Sequence, residues 1–428
     1  MRLAYISPGA AGMLCGSCLH DNTLARALIR RGHDVALVPI YTPIRTDEED
    51  VSIDRVFYGA INVYLEQRSA LFRHTPWLVD RLLASRPMLN WAAGHGTSID
   101  AKELGGMTLS MLRGEEGNQA KELERLVAWL RDDYAPDLVH LSNSMLVGMA
   151  RRLRADLNVP VLCSVQGEDI FLEELEEPYH SQVRDTLRER AGDADAFVAT
   201  SRYYRDYMTD YLGVPVDRVH HVPLGIRLDG YRKPETLQDT PFVIGYLARV
   251  CPEKGLHTLV QALKHLVDDV GEDRVRLRVA GWLGPRDRPY FDGIMDQVRE
   301  WRLDGIVDWR GEIDRQQKLD FLSSLHVLSV PTAYKEPKGR FVLEAWASGV
   351  PVVQPHHGAF PEMIEATGAG LLVEPDSPAA LADALRTLMD DPGRRTELGR
   401  RGREAVQRDF SDDSLALNTY TVYEKYLT

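Results

Sequence analysis

Cysteine is scarce in this chain, with four in 428 residues. Two of them, Cys15 and Cys18, lie three positions apart, but so few in so long a chain do not make a disulfide framework. An excess of positive charge is also missing. The 51 Lys and Arg are outnumbered by 64 Asp and Glu, and a net charge of −13 argues against a general nucleic-acid binder. No apolar run reaches the roughly 18 residues that a membrane span needs. Met1-Arg-Leu-Ala-Tyr-Ile-Ser7 is too short, and too polar beyond, for a signal peptide, and it reads as a first strand. The apolar fraction of 44% and charged fraction of 27% describe an ordinary globular protein, with the cytoplasm as the expected location. The length predicts two domains, or three.

What the chain does have is alternation. Short β-rich runs are expected at 3–7, 35–39, 138–142, 161–165 and 197–200. A second series is expected at 243–248, 275–280, 307–310, 327–330, 352–354 and 371–373. Amphipathic segments such as Thr23-Leu-Ala-Arg-Ala-Leu-Ile-Arg-Arg-Gly32 lie between them, and that glycine suits a helix end. Repeated βα alternation predicts an α/β protein whose parallel sheets are covered on both faces. Two Rossmann-like, doubly wound lobes facing a central cleft are the economical architecture. Their join falls near Pro223-Leu-Gly-Ile226 and the polar stretch Arg232–Thr240. The expected lobes are 1–228 and 229–409, with 410–428 a final helix returning to the first. Residues 42–126 break the alternation and read as an elaboration of the first lobe, holding a strand pair near 56–65.

The most informative stretch is Ala333-Tyr-Lys-Glu-Pro-Lys-Gly-Arg-Phe-Val-Leu-Glu-Ala-Trp-Ala-Ser-Gly349. Glu336 falls in a loop at the carboxyl end of a strand, and Glu344 falls in the helix that the loop starts. Ligands of open parallel sheets bind at that edge, where backbone N–H groups at a helix start face an anion. Two carboxylates beside such a site suit a ligand with both phosphates and hydroxyls, as a sugar nucleotide has. The second lobe opens with Ile244-Gly-Tyr-Leu-Ala-Arg-Val-Cys-Pro-Glu-Lys-Gly255. Arg249 and Lys254 there stand between a strand and a helix, where a forked guanidinium and a compact ammonium suit a diphosphate. A surface Arg and Lys that simply solubilise a turn would look the same, so the pair alone decides little.

The order Arg249-(x4)-Lys254-Gly255, Glu336-(x7)-Glu344 and Gly358-Ala-Phe-Pro-Glu362 resembles the retaining GT-B glycosyltransferases of family 4, across about residues 241–409. Pro223-Leu-Gly-Ile226 is similar to that family's domain join, and Phe410-Ser-Asp-Asp413 to the start of its last helix. Asn62-Val-Tyr-Leu65 with Leu71-Phe72 is faintly similar to the related glycogen synthases, whose Lys-bearing glycine loop is missing.

The resemblance implies a retaining hexosyltransferase that moves a sugar from a UDP-, GDP- or ADP-linked donor to a hydroxyl acceptor, a carbohydrate among the candidates. It implies no metal and no cofactor, since the nucleotide sugar is a substrate. Arg249, Lys254 and Glu336 would be the catalytic set, with the two cations stabilising the diphosphate leaving group. Glu344 would take the ribose hydroxyls. Gly16, Lys338, Gly339, Arg340 and Phe341 would complete the donor site, and Gly16, Ser17 and Gln166 would lie on the acceptor side. Gly16 and Ser17 close the glycine-rich loop Ser7–Cys18, where a backbone can approach a ligand closely.

The chain departs from the family at two places. Lys338 and Arg340 replace apolar residues around the loop glycine and, with Lys335, suggest reading of an acidic or phosphorylated group. Gln166, in Ser164-Val-Gln-Gly-Glu-Asp169, stands where many relatives carry His, and it can neither hold a charge nor move a proton. A non-catalytic sugar-nucleotide-binding shell therefore stays open, as does an epimerase on the same fold.

Other signals are set against their contexts. Cys15-Gly-Ser-Cys18 has the spacing of a redox site, but the rest of the chain does not resemble a thioredoxin domain and is far too long for one. Asp193-Ala-Asp195 precedes a strand instead of following one, and reads as a turn rather than a metal site. His220 and His221 are neighbours on a strand and point to opposite faces. His356 and His357 lie at the cleft edge as possible donor contacts. Glu173-Glu-Leu-Glu-Glu177 reads as a solvated helix face. Leu71–Leu83 mixes Trp, Phe and Leu with Arg, as interfacial helices do, though packing against the lobe explains it as well. Base contacts are expected from the backbone of Trp309-Arg-Gly-Glu-Ile313, which hides the base identity.

Overall fold

The computed structural model describes residues 1–9, 16–58, 101–232 and 238–427, without the side chains of 101–103. The chain forms two compact units, Met1–Leu224 with Leu415–Thr428, and Gly225–Ser414.

The first unit is built on β1 (Arg2–Ser7), β2 (Asp34–Pro39), β3 (Leu138–Leu141), β4 (Val161–Val165), β5 (Ala196–Ala199) and β6 (Val219–His221). All pairings are parallel and the order is β2-β1-β3-β4-β5-β6. Side chains alternate across a strand, so each strand feeds two cores. Ala4 and Ile6 pack on one face with Val139, Val161 and Phe197. Leu3 and Tyr5 pack on the other with Leu138, Leu162 and Val198. The last helix, Asp412–Glu424, contributes Leu415, Ala416 and Tyr423 to this second face. Buried His140 joins them, with Nδ1 2.6 Å from the Tyr423 hydroxyl and Nε2 2.7 Å from Ser164 Oγ. Burial pulls the His140 imidazole down to about 3, so it is neutral.

The second unit carries β7 (Phe242–Leu247), β8 (Val275–Ala280), β9 (Val307–Trp309), β10 (Val327–Leu328), β11 (Val352–Pro355) and β12 (Gly370–Val373). Its order is β12-β11-β10-β7-β8-β9, again all parallel. Read from the edge, this is the dinucleotide-binding arrangement, and the chain reverses its direction of travel between β7 and β10. The first unit reverses between β1 and β3. Loops leaving the carboxyl ends of strands on either side of such a reversal diverge, which leaves a crevice.

Some expectations need correction. The first helix starts at Gly16, inside the expected loop Ser7–Cys18 and a few residues before the Leu19 expected for its start, and runs to Arg30. Val56–Tyr58 are buried but irregular, so no strand starts there, and residues 59–65 lie outside the described part. Only Glu173 of the acidic run is helical, ending Asp169–Glu173, and the rest forms a turn. Glu173 is also not merely solvated, because it pairs with Arg184 and accepts a hydrogen bond from Tyr211 at 2.9 Å. The segment 71–83 and Cys15 lie outside the described residues.

Candidate functional site

At the reversal of the second sheet, β7 runs into Arg249, a tight turn at Pro252–Lys254, and the helix Leu256–Val270. Gly255 sits at the junction with φ +70°, and a Cβ there would lie 1.8 Å from the Pro331 carbonyl oxygen. Only glycine lets the turn press against the loop that leaves β10.

That second loop carries Glu336, which is buried. Oε2 accepts from Lys254 Nζ at 2.6 Å and from the Tyr334 hydroxyl at 2.5 Å. Oε1 accepts from the backbone N–H groups of Lys338 at 3.3 Å and Gly339 at 3.2 Å. Lys254 also donates to the Tyr334 hydroxyl, closing a three-membered cluster. Burial pushes the Glu336 carboxyl up, but the Lys254 charge and these donors outweigh it and hold the group near 2. The loop is pinned from a third side. The Glu336 carbonyl accepts from Ala359 N–H at 2.8 Å, and Gly358, at φ +60°, approaches the Glu336 backbone so closely that a Cβ would clash at 2.6 Å.

Gly339 begins the helix Arg340–Ala347, whose residues from Phe341 onward are all buried, Glu344 included. Glu344 Oε1 lies 3.0 Å from Lys318 Nζ and 3.2 Å from Arg340 Nε. Lys318 reaches it from the helix Arg315–Ser323, where Asp314 and Gln317 form a capping box. The buried Tyr231 hydroxyl feels the charges of Glu344, Lys318, Arg340 and Arg315, though burial is what chiefly raises it.

Arg249, Lys254, Glu336, Lys338, Gly339, Arg340, Phe341 and Glu344 thus belong to one unit and one strand edge. Phe341 places its ring 5.6 Å from Lys254 Nζ. Arg249 is 45% exposed and 3.9 Å from Glu253, so its guanidinium is not committed to a close ion pair. His357 faces inward, with Nε2 2.9 Å from the Thr332 carbonyl, whereas His356 lies 3.9 Å from Glu365 on the surface.

Gly16, Ser17 and Gln166 belong to the first unit. Gly16 is exposed at its helix start and Ser17 is half-buried, while residues 10–15 of the loop are outside the described part. Gln166 is buried, and its Nε2 donates to Asp21 Oδ1 at 3.0 Å and to the Ser142 carbonyl at 2.8 Å. Asp21 also accepts from Tyr5 at 3.0 Å, Ser7 at 2.8 Å and Ser142 at 2.6 Å. Burial pushes its carboxyl up to about 6 against those hydrogen bonds. This buried carboxylate stands where the first sheet reverses.

Sequence reasoning missed Asp21, Lys318 and Tyr334. A carboxylate on the apolar side of the first helix, between Leu19 and Leu24, was a signal for Asp21. Nothing comparable marks Lys318 among the other charges of its helix. Among the described residues no group of His, Cys, Asp and Glu forms a metal-ligand cluster, and no helix is long and apolar enough to cross a membrane. Asp193 and Asp195 instead engage Arg151 and Arg154. Cys18, Cys163 and Cys251 are buried.

Comparison with known proteins places these two parallel α/β units among the glycosyltransferases. Residues 22–225 match the glycosyl transferase 4-like domain, and residues 229–405 match glycosyl transferases group 1. The chain belongs to this glycosyltransferase family and has the GT-B fold. A glycogen synthase of Mycobacterium tuberculosis is 25% identical over 417 residues, covering 94% of this chain and 89% of that protein. A D-inositol 3-phosphate glycosyltransferase of Kineococcus radiotolerans is 29% identical, covering 78% and 80%. Among solved structures, sucrose-phosphate synthase from Thermosynechococcus elongatus superposes with a TM-score of 0.73 at 21% identity, covering 99% and 98%. Anabaena HepE in complex with UDP and glucose gives 0.67 at 16% identity, covering 99% of each chain.

Proposed function

We propose that this glycosyltransferase moves a hexose from a nucleoside-diphosphate donor to a hydroxyl acceptor, with retention and without a required metal. The observation that carries this reading is the convergence of Arg249, Lys254, Glu336 and Glu344 on the reversal edge of the second sheet. The second unit would hold the donor, with Arg249 and Lys254 on the diphosphate and Glu344 turned to the ribose hydroxyls. The first unit would shape the acceptor side through Gly16, Ser17 and Gln166.

In the reaction, the bond from the anomeric carbon to the phosphate oxygen breaks and the bond to the acceptor oxygen forms on the same face. The acceptor proton passes to the departing phosphate, so no side-chain nucleophile is needed. Charge grows on the diphosphate as the bond breaks, and cations fixed beforehand stabilise that charge without reorganising. Arg249 and Lys254 supply the positive charge that a metal supplies in other transferases. Glu336, held anionic, fixes the direction of the Lys254 side chain. The HepE complex holds UDP and glucose, which makes a UDP-linked donor the first to test beside GDP- and ADP-linked ones.

The test is transfer from UDP-, GDP- and ADP-hexoses in EDTA, with the anomeric configuration of the product read by NMR. One donor class giving an α-linked product from an α-donor supports the reading. Inversion, or activity that disappears in EDTA and returns with a divalent cation, refutes it.

A further inference from the structure

We propose that Tyr334 is a positioning residue for Lys254, aiming the ammonium at the terminal phosphate of a nucleoside diphosphate. This rests on the donor reading given above. Lys254 offers three N–H donors on a flexible four-carbon stem, and by itself that stem would sample many rotamers. Two of the donors are consumed inside the protein, one by Glu336 Oε2 at 2.6 Å and one by the Tyr334 hydroxyl. The Tyr334 hydroxyl in turn donates to Glu336 Oε2 at 2.5 Å, so the three groups fix one another. The third Lys254 donor meets no protein acceptor among the described residues, and the side chain is 17% exposed. The cluster therefore leaves one oriented N–H for a ligand.

Tyrosine suits this place because its hydroxyl accepts and donates at once. An ammonium bound to Glu336 alone could pivot about a single contact. With the hydroxyl as a second fixed point, the direction of the remaining donor is set before any ligand arrives. The Phe341 ring, 5.6 Å from Nζ, borders the same ammonium. Among the described residues the Tyr334 hydroxyl is hydrogen-bonded to Lys254 and Glu336, while Arg249 reaches it through charge alone, so the effect should fall on the phosphate that Lys254 meets.

That confinement gives the test. Full-length wild type, Tyr334→Phe, Lys254→Ala and the double variant are titrated calorimetrically with UMP and UDP, GMP and GDP, and AMP and ADP. For the base that binds, Tyr334→Phe should weaken the diphosphate about tenfold, the loss of one charge-assisted hydrogen-bond geometry. The monophosphate should change by less than about twofold. In the Lys254→Ala background, Tyr334→Phe should add nothing. Equal weakening of mono- and diphosphate means that the hydroxyl only holds the loop together, and overturns the assignment. A loss of diphosphate affinity that persists without Lys254 also overturns it. Binding of none of the three diphosphates by wild type removes the donor reading and this inference with it, whereas intact wild-type binding with no Tyr334→Phe effect removes the inference alone.

Discussion

The Lys254 ammonium and the Glu336 carboxylate, 82 positions apart in the chain, meet at 2.6 Å on the loops that leave β7 and β10. These strands are hydrogen-bonded neighbours, and the sheet order reverses between them. The pair ties together the two loops that the topology would otherwise let diverge. Both side chains are largely buried, at 17% and 6% exposure, so neither can lose its partner cheaply.

Lys254→Ala should therefore destabilise the second unit by about 3 kcal/mol, because it leaves a buried carboxylate with only neutral donors. Glu336→Gln should cost less, and the double variant less than the sum of the two. Urea unfolding of all four proteins, followed by a probe in the second unit, measures the coupling. Strict additivity would mean that the contact does not hold the loops.

Acid should act through Glu336. Its folded value near 2 lies below the ordinary 4.5, so the unfolded chain binds the proton more readily. The stability contributed is complete above about pH 4.5 and is lost as pH falls toward 2, an effect on the order of 3 kcal/mol. Wild type should lose stability across that window more steeply than Glu336→Gln. Parallel curves for the two proteins would contradict this.

Asp21 should behave in the opposite sense. Its folded value of about 6 lies above the ordinary 3.8, so between them the native state binds the proton more readily. Wild type should gain stability relative to Asp21→Asn as pH falls from 6 toward 4. At neutral pH the Asn variant should be less stable by about 2 kcal/mol, since its amide N–H₂ would face donors from Tyr5, Ser7, Ser142 and Gln166. Thermal unfolding across pH compares the two.

Arg340 and Lys338 should separate. Arg340 holds Glu344, so Arg340→Ala should raise the donor KM several-fold and leave the choice among sugars unchanged. Lys338 meets Glu336 through its backbone N–H, a contact that an alanine keeps. Lys338→Ala should therefore leave nucleotide affinity intact and shift preference among neutral and acidic sugars or acceptors. Competition assays with paired substrates read this directly, and an unchanged profile would show that Lys338 reads no acidic group.

Much of this was legible in the chain. Apolar runs such as Val161–Val165 announced buried parallel strands because such strands are covered on both faces. Glu336 and Glu344 could be placed on a loop and a helix because Pro337 and Gly339 interrupt the apolar pattern between them. The partners of those carboxylates were not legible. Lys318, 26 positions before Glu344, reaches it only once two helices pack, and no spacing rule encodes such a distance. Tyr334 lay in view two residues before Glu336, but its hydroxyl gains meaning only when Lys254 arrives from another strand. The partners of the Gln166 amide were hidden too: its N–H₂ meets Asp21 and Ser142, contacts across 145 and 24 positions that only the folded sheet creates.

The most direct experiment is titration of UDP, GDP and ADP into wild type, Lys254→Ala and Glu344→Ala in EDTA. One diphosphate should bind wild type, and each variant should weaken that binding by at least about tenfold, the scale of one lost charged contact. If all three diphosphates fail to bind, or if the variants bind as wild type does, the strand edge carrying Lys254, Glu336 and Glu344 is not a nucleotide-sugar site.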